Sequence, residues 1–248
     1  MASTSSKTPF PPAAPDRILV WRLHAVTAFP PGWAALLSRD ERRRAQDMAD
    51  PAARQQYLAG RIALRAILGR CAGRPPAALV FTRGPHQKPE LAPTPGAPAW
   101  RFSLAHTRGM VLIAVRAGGA IGVDVESRRR RLRNFEGLVR RILTPTERQA
   151  VQAKPPAGRR ALFLHYWTAK EACLKAIGTG LARPPRTLHI SILNKTDAVC
   201  RPEDATGDWR VKFFTPAPGY LAAVAAKPPE IRLTVRDFSL DFRGALLV

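Results

Sequence analysis

The chain has 248 residues, 46% of them hydrophobic, enough to bury a full core as one large domain or two modest ones. Forty Lys and Arg stand against 18 Asp and Glu, a formal net charge of +22. So basic a surface favours polyanionic partners, whether nucleic acid, phosphate-rich cofactors, acidic proteins or anionic membrane, and excludes an acidic, solvating chain. Three cysteines, Cys71, Cys173 and Cys200, lie far apart, without metal-ligand spacing and without an even disulfide set. Residues 1–15 are rich in Ser, Thr and Pro and lack the apolar core of a signal peptide. With no stretch of membrane-span length, the expectation is a soluble cytoplasmic protein with a disordered N-terminal tail and no membrane partner.

Arg17 to His24 (RILVWRLH) reads as a strand leading to a loop at Pro30-Pro31-Gly32. Ser38-Arg39-Asp40-Glu41 is a capping box that starts a helix. Gln55 to Gly69 is a second helix, with Tyr57, Ile62, Leu64 and Leu68 among its apolar positions and Gly69 near its stop. Leu79 to Thr82 is a short strand, and Gly84 to Pro98 a Pro-rich loop. Arg101 to Leu104 and Met110 to Arg116 pair as strands around a turn near Thr107-Arg108-Gly109, and Ala120 to Glu126 is a further strand.

The second half repeats this plan. Leu143-Thr144-Pro145-Thr146-Glu147-Arg148 echoes Leu37-Ser38-Arg39-Asp40-Glu41-Arg42, again with a capping box and with Pro145 at the first helical position. Carried onward, the spacing sets Tyr57, Arg61 and Arg65 against Phe163, Trp167 and Glu171. Gly109 to Val115 resembles Gly219 to Ala225, so each half closes with a hairpin. The fold class expected is therefore α+β. Two tandem subdomains, residues 16–118 and 119–248, make a pseudo-twofold pseudo-dimer with a ligand cleft between them. The tail from Ile231 to Val248 contains one more strand.

Two stretches carry charge where a core is expected. In Ile121-Gly122-Val123-Asp124-Val125-Glu126 the apolar residues face one side and Gly122, Asp124 and Glu126 the other. Two carboxylates on one strand face repel unless a cation or proton sits between them. Gly122 is expected to leave the backbone open beside that face. The run from Arg159 to Ile177 reads as a buried helix, yet it holds Lys170, Glu171 and Lys175. Thr168, Glu171 and Lys175 share one face, walled by Trp167. The plain alternatives are a solvated strand edge and a surface Glu–Lys pair. With Glu171, however, Asp124 and Glu126 make an all-oxygen set that suits Mg²⁺, and such a site calls for a phosphorylated substrate. Lys170 and Lys175 would then neutralise a transferring phosphoryl group.

The pairing of Gly122-Val123-Asp124-Val125-Glu126 with Trp167-Thr168-Ala169-Lys170-Glu171-Ala172-Cys173-Leu174-Lys175 resembles the signature of the 4′-phosphopantetheinyl transferases. Ala176 to Leu181 continues the match. Ala59-Gly60-Arg61 with Arg65, Arg83 with Lys88-Pro89, and Phe102-Ser103-Leu104-Ala105-His106 extend it, so that it runs from about Asp40 to Ala225. Length and internal repeat match the two-lobed, monomeric surfactin-synthetase-activating type. The resemblance implies transfer of the phosphopantetheine arm of coenzyme A to a serine of an acidic acyl or peptidyl carrier protein. Asp124, Glu126 and Glu171 would hold Mg²⁺, with Mn²⁺ able to substitute. Glu171 would take the serine proton, and Lys175 would steady charge at the phosphoryl centre. Arg61, Arg83, Lys88 and His106, with Asp124, Lys170 and Lys175, would contact coenzyme A. Two positions depart from the family pattern: Ala105 replaces a usual Ser, and Gln87 stands where a Gly commonly precedes Lys-Pro.

Arg128 to Arg133 reads either as a solvated loop or as a docking surface for an acidic carrier protein. Two other function classes compete. A basic nucleic-acid-binding protein needs a groove-reading helix or interleaved aromatics, and the aromatics are only 7% and sit at core-like positions. A Mg²⁺-dependent nuclease or phosphodiesterase commonly places a lysine two residues after the second acid, where this chain has Arg128.

Overall fold

The structure is a computed structural model that describes residues 14, 16–24, 32–93, 96, 98–204, 207–227 and 231–238. The expected N-terminal tail, apart from Ala14, and the loop at Pro30-Pro31 lie outside the described residues. The first half runs β1 (Arg17–His24), α1 (Arg39–Gln46), α2 (Pro51–Ala72), β2 (Phe81–Arg83), β3 (Pro89–Leu91), β4 (Trp100–Thr107) and β5 (Met110–Ala117). The second runs β6 (Ile121–Ser127), α3 (Phe135–Ile142), α4 (Pro145–Gln152), α5 (Pro156–Ile177), β7 (Leu188–Ile192), β8 (Asp197–Pro202), β9 (Trp209–Phe214) and β10 (Tyr220–Ala226), and β11 (Arg232–Asp237) follows.

The repeat is visible in the strand order. In one sheet β1 pairs antiparallel with β5 and β5 with β4; in the other β6 pairs antiparallel with β10 and β10 with β9. Both capping boxes form, Ser38 with Glu41 and Thr144 with Glu147. Each opens an eight-residue helix that is followed by one of 22 residues. β11 lies parallel to β1 in the first sheet, so the span assigned to the second subdomain returns its last strand to the first. Two smaller expectations also shift. α2 runs past Gly69 to Ala72 and stops at Gly73, whose φ of 63° suits a glycine. The expected 84–98 loop contains β3, paired with β2.

Three cores follow from this layout. α2 packs on the outer face of the first sheet, with Leu64, Ile67 and Leu68 against Trp21, Ile113 and Val115. α5 packs on the second, with Phe163, Cys173 and Leu174 against Phe213, Leu221 and Ala223. The inner faces share a third core, where Val20 and Leu112 meet Val123, Val125 and Val224. The chain is thus layered helix, sheet, sheet, helix. Among the described residues no helix is long and apolar enough to cross a membrane.

Candidate active site

The alternation of β6 sets up the site. Ile121, Val123 and Val125 enter the sheet–sheet core, which turns Gly122, Asp124 and Glu126 toward α5. Gly122 is needed for contact rather than for an open backbone beside the acids. A Cβ there would lie 1.9 Å from the Ala172 carbonyl oxygen and 2.5 Å from the Ala176 nitrogen. Only glycine lets the helix backbone come this close to the strand, and that approach brings Glu171 and Lys175 beside the two acids.

Lys175 Nζ donates to Asp124 Oδ1 at 2.8 Å and to the Val123 carbonyl at 3.1 Å. Trp167 Nε1 donates to Glu126 Oε1 at 2.6 Å, and Arg130 pairs with the same oxygen. Asp124 and Glu126 are buried, and Asp124 Oδ2, Glu126 Oε2 and Glu171 Oε1 are all buried without a partner. Burial pushes the Glu171 carboxyl up to about 7, reinforced by the charges of Asp124 and Glu126 against the pull of Lys175 and Arg130. Glu126 is raised too, by burial and by Asp124. Among the described residues no three His, Cys, Asp or Glu side chains stand close enough to hold a metal ion as they are. Like charges keep the three carboxylates apart.

β6 is an edge strand, and side chains take up backbone groups along it. Ser103 Oγ accepts from the Val123 N–H at 3.1 Å. Lys88 Nζ donates to the Ile121 carbonyl at 3.2 Å and to the Lys175 carbonyl at 2.5 Å, tying the first half to the end of α5. Burial pulls the Lys88 ammonium down to about 8, helped by Arg101 and opposed by Glu90.

Beside the acids lies a cavity of about 490 Å³, lined by Arg44, Tyr57, Arg61, Lys88, His106 and Lys175, with Phe102, Leu104 and Val111 as apolar wall. His106 is held below its usual range by burial and by Lys175, so its ring is a neutral hydrogen-bonding group near pH 7.

The structure brings Asp124, Glu126, Glu171, Lys175, Lys88, His106 and Arg61 to this one region, and it sends two expected coenzyme A contacts elsewhere. Lys170 is fully buried, paired with Glu147 at 2.7 Å and bonded to the carbonyls of Pro185 and Leu188. It points into the helix–sheet core because on α5 it lies off the face that carries Glu171 and Lys175. Arg83 is exposed, bonds Gln87 at 3.1 Å and does not line the cavity. Gln87 itself has φ 64°, a left-handed conformation that explains a glycine preference there. Arg65 is a core-edge salt bridge to Glu41 at 2.6 Å. Thr168 is buried and bonds back to the Leu164 carbonyl.

Sequence reasoning missed Arg130, Arg44 and the second role of both capping glutamates. The capping boxes were legible. That Glu41 and Glu147 are buried and also accept from cations on the next helix had only one signal, the cation recurring on each long helix.

The matches to known proteins agree with this geometry. A family model described as the 4′-phosphopantetheinyl transferase superfamily matches residues 120–225, from β6 into β10. The chain is 38% identical over 152 residues to a putative 4′-phosphopantetheinyl transferase of Synechocystis sp., covering 61% of each. It is 33% identical over 192 residues to the 4′-phosphopantetheinyl transferase HetI of Nostoc sp., covering 77% of this chain and 79% of that one. It is 23% identical over 206 residues to the 4′-phosphopantetheinyl transferase Sfp of Bacillus subtilis, covering 78% and 89%. The chain belongs to the 4′-phosphopantetheinyl transferase superfamily, in its two-lobed form.

Proposed function

We propose that this chain transfers the 4′-phosphopantetheine arm of coenzyme A to a serine hydroxyl of an apo acyl or peptidyl carrier protein. A bond forms from the serine oxygen to phosphorus, the pyrophosphate P–O bond breaks, and adenosine 3′,5′-bisphosphate leaves. One observation carries this reading. Three carboxylates, each with a buried oxygen lacking a partner, stand beside a cation-lined cavity.

The donor set fits a hard divalent ion: Asp124, Glu126 and Glu171 offer oxygen only, and their unpartnered oxygens are costly without a cation. Mg²⁺, with Mn²⁺ able to substitute, would supply charge neutralisation on the pyrophosphate. Glu171, with its carboxyl raised to about 7, is matched to accept the serine proton near neutral pH. Lys175 places a cation beside Asp124 at the cavity wall, where charge builds on the leaving group. Arg61, Lys88 and His106 hold the nucleotide and its phosphates, Arg61 with the fork geometry that suits phosphate oxygens. We read Arg128 to Arg133 as a docking surface for an acidic carrier and the +22 charge as serving carrier and coenzyme A rather than nucleic acid. We place the protein in the cytoplasm, and we read it as a monomer of two lobes, 16–118 and 119–248 with β11 returned to the first, because the internal repeat supplies both walls of the site within one chain.

Intact-mass measurement on several apo carrier proteins with coenzyme A and Mg²⁺ tests this. The expected result is a gain of one phosphopantetheine arm on at least one carrier. Glu171→Gln should slow the gain by at least about 100-fold with the thermal transition retained. Full activity in that variant would sink the assignment of Glu171.

A further inference from the structure

The carboxylate of Glu126 is held by two donors of different kind. β6 ends at Ser127, and the chain turns back at once: the Arg128 N–H donates to the Gly219 carbonyl at 2.8 Å and the Arg130 N–H to the Ser127 carbonyl at 3.0 Å. Arg160 bonds the carbonyls of Arg128 and Arg130 from outside. This turn lays the Arg130 guanidinium against Glu126 and 5.9 Å from the centre of the Trp167 ring. Its side chain is 47% exposed, whereas that of Glu126 is 7% exposed. Trp167 instead sits on α5, stacked on Phe163 at 6.5 Å and 16°. Both donors land on Oε1, and Oε2 stays buried without a partner.

We propose that Arg130 is a resident counter-ion of Glu126 that a divalent ion displaces, and that Trp167 is the positioning residue that keeps the carboxylate aimed. The inference rests on the reading of Glu126 as a metal ligand. A nearly buried carboxylate needs compensating charge, and before the ion binds the nearest mobile cation supplies it. A doubly charged ion at Glu126 repels the guanidinium. A half-exposed side chain on a turn leaves at little cost. The indole is neutral, is fixed by packing and meets no such repulsion, so its hydrogen bond persists and orients Oε2.

The two residues therefore act on metal affinity with opposite sign. Mn²⁺ titrations followed by electron paramagnetic resonance, on the full chain without coenzyme A, read this directly. Trp167→Phe keeps the ring and removes the N–H, and should weaken Mn²⁺ about 10-fold. Arg130→Met should tighten it roughly 3- to 10-fold, and this gain should shrink as salt rises. Arg130→Lys keeps the charge and should stay within about 2-fold of wild type. Unchanged or weaker binding in Arg130→Met, or unchanged binding in Trp167→Phe, overturns the proposal. Glu126→Gln separates the two levels. If wild type holds no Mn²⁺ that this variant loses, the metal reading falls and the proposal with it.

Discussion

α2 and α5 are the same device used twice. Glu41 caps α1 through the Ser38 N–H and takes Arg65 of α2 at 2.6 Å, and Arg65 goes on to the carbonyls of Pro76 and Leu79. Glu147 caps α4 through the Thr144 N–H and takes Lys170 of α5 at 2.7 Å, and Lys170 goes on to the carbonyls of Pro185 and Leu188. What differs is the strand each helix covers. Aligning the hairpins at Gly109 and Gly219 sets Leu19, Trp21 and Leu23 of β1 against Gly122, Asp124 and Glu126 of β6 through their strand partners. One helix covers an apolar strand face filled by Leu and Trp. The other covers a glycine and two acids, and one position past the shared cation carries Glu171 where α2 has Ala66. The parts held in common build the lobes, and the substituted parts hold the chemistry.

The largest expected effect comes from the contact that separates the two faces. Gly122→Ala drives a methyl into the Ala172 carbonyl, backbone against backbone, and no rotamer change relieves it. The cost should be about 5 kcal/mol or more, comparable with the whole stability of a marginal domain. Gly60→Ala in α2 is the counterpart test. Its nearest neighbour would be the Leu104 side chain at 3.4 Å, and alanine favours the helix, so stability should stay within about 1 kcal/mol of wild type. Urea denaturation of both variants measures the contrast, and equal losses would show that Gly122 does not set the helix–strand distance.

Next come the shared pins. Lys170→Met leaves Glu147 buried without its cation and should cost about 3–5 kcal/mol. Arg65→Met should cost less, about 2 kcal/mol, because Arg61 still pairs with Glu41. If Lys170 served coenzyme A instead, Lys170→Met would raise the KM for coenzyme A and leave the unfolding midpoint in place.

That pairing also explains what could be read from the sequence. The repeat, both capping boxes and the inward and outward faces of β6 were legible because they are local patterns: a cap four residues long, a strand of period two. Lys170 reads as a phosphoryl-neutralising cation because it adjoins Glu171 in the sequence, and alignment of the halves on their capping boxes, which sets Glu171 against Arg65, hides its match to Arg65. The long helices start one residue closer to their caps in the second half, so the pin that equals Arg65 is Lys170. A shift of one residue turns a helical side chain by about 100°, from cleft to core. Arg130 was invisible for another reason: its partner is set by a turn, and five basic residues in that stretch offered the sequence no means to choose one.

The smallest effect is a difference in pH dependence between the acids of the two halves. Without a divalent ion the Glu171 carboxyl is held at about 7, through burial first and then the charges of Asp124 and Glu126. Its unfolded counterpart titrates near 4.5. Between these values the folded chain keeps a proton that the unfolded chain has lost, so stability falls as pH rises through the window and levels off above it. Summed over the window this amounts to about 3 kcal/mol. Glu41 runs the other way. Burial alone would raise it, but the charge of Arg61 and the hydrogen bonds from Ser38, Arg65 and Arg61 outweigh burial and hold it below its ordinary range. Its contribution is present above the ordinary carboxyl pKa and lost as pH falls through the lowered one. Thermal unfolding of Glu171→Gln beside wild type from pH 4 to pH 8 (roughly the span in which such groups titrate) should give curves that coincide at the acid end. Toward the alkaline end the variant should become the more stable, by the amount above. A Glu171→Gln curve that stays parallel to wild type would mean that the carboxyl is charged throughout and that β6 and α5 impose no such cost.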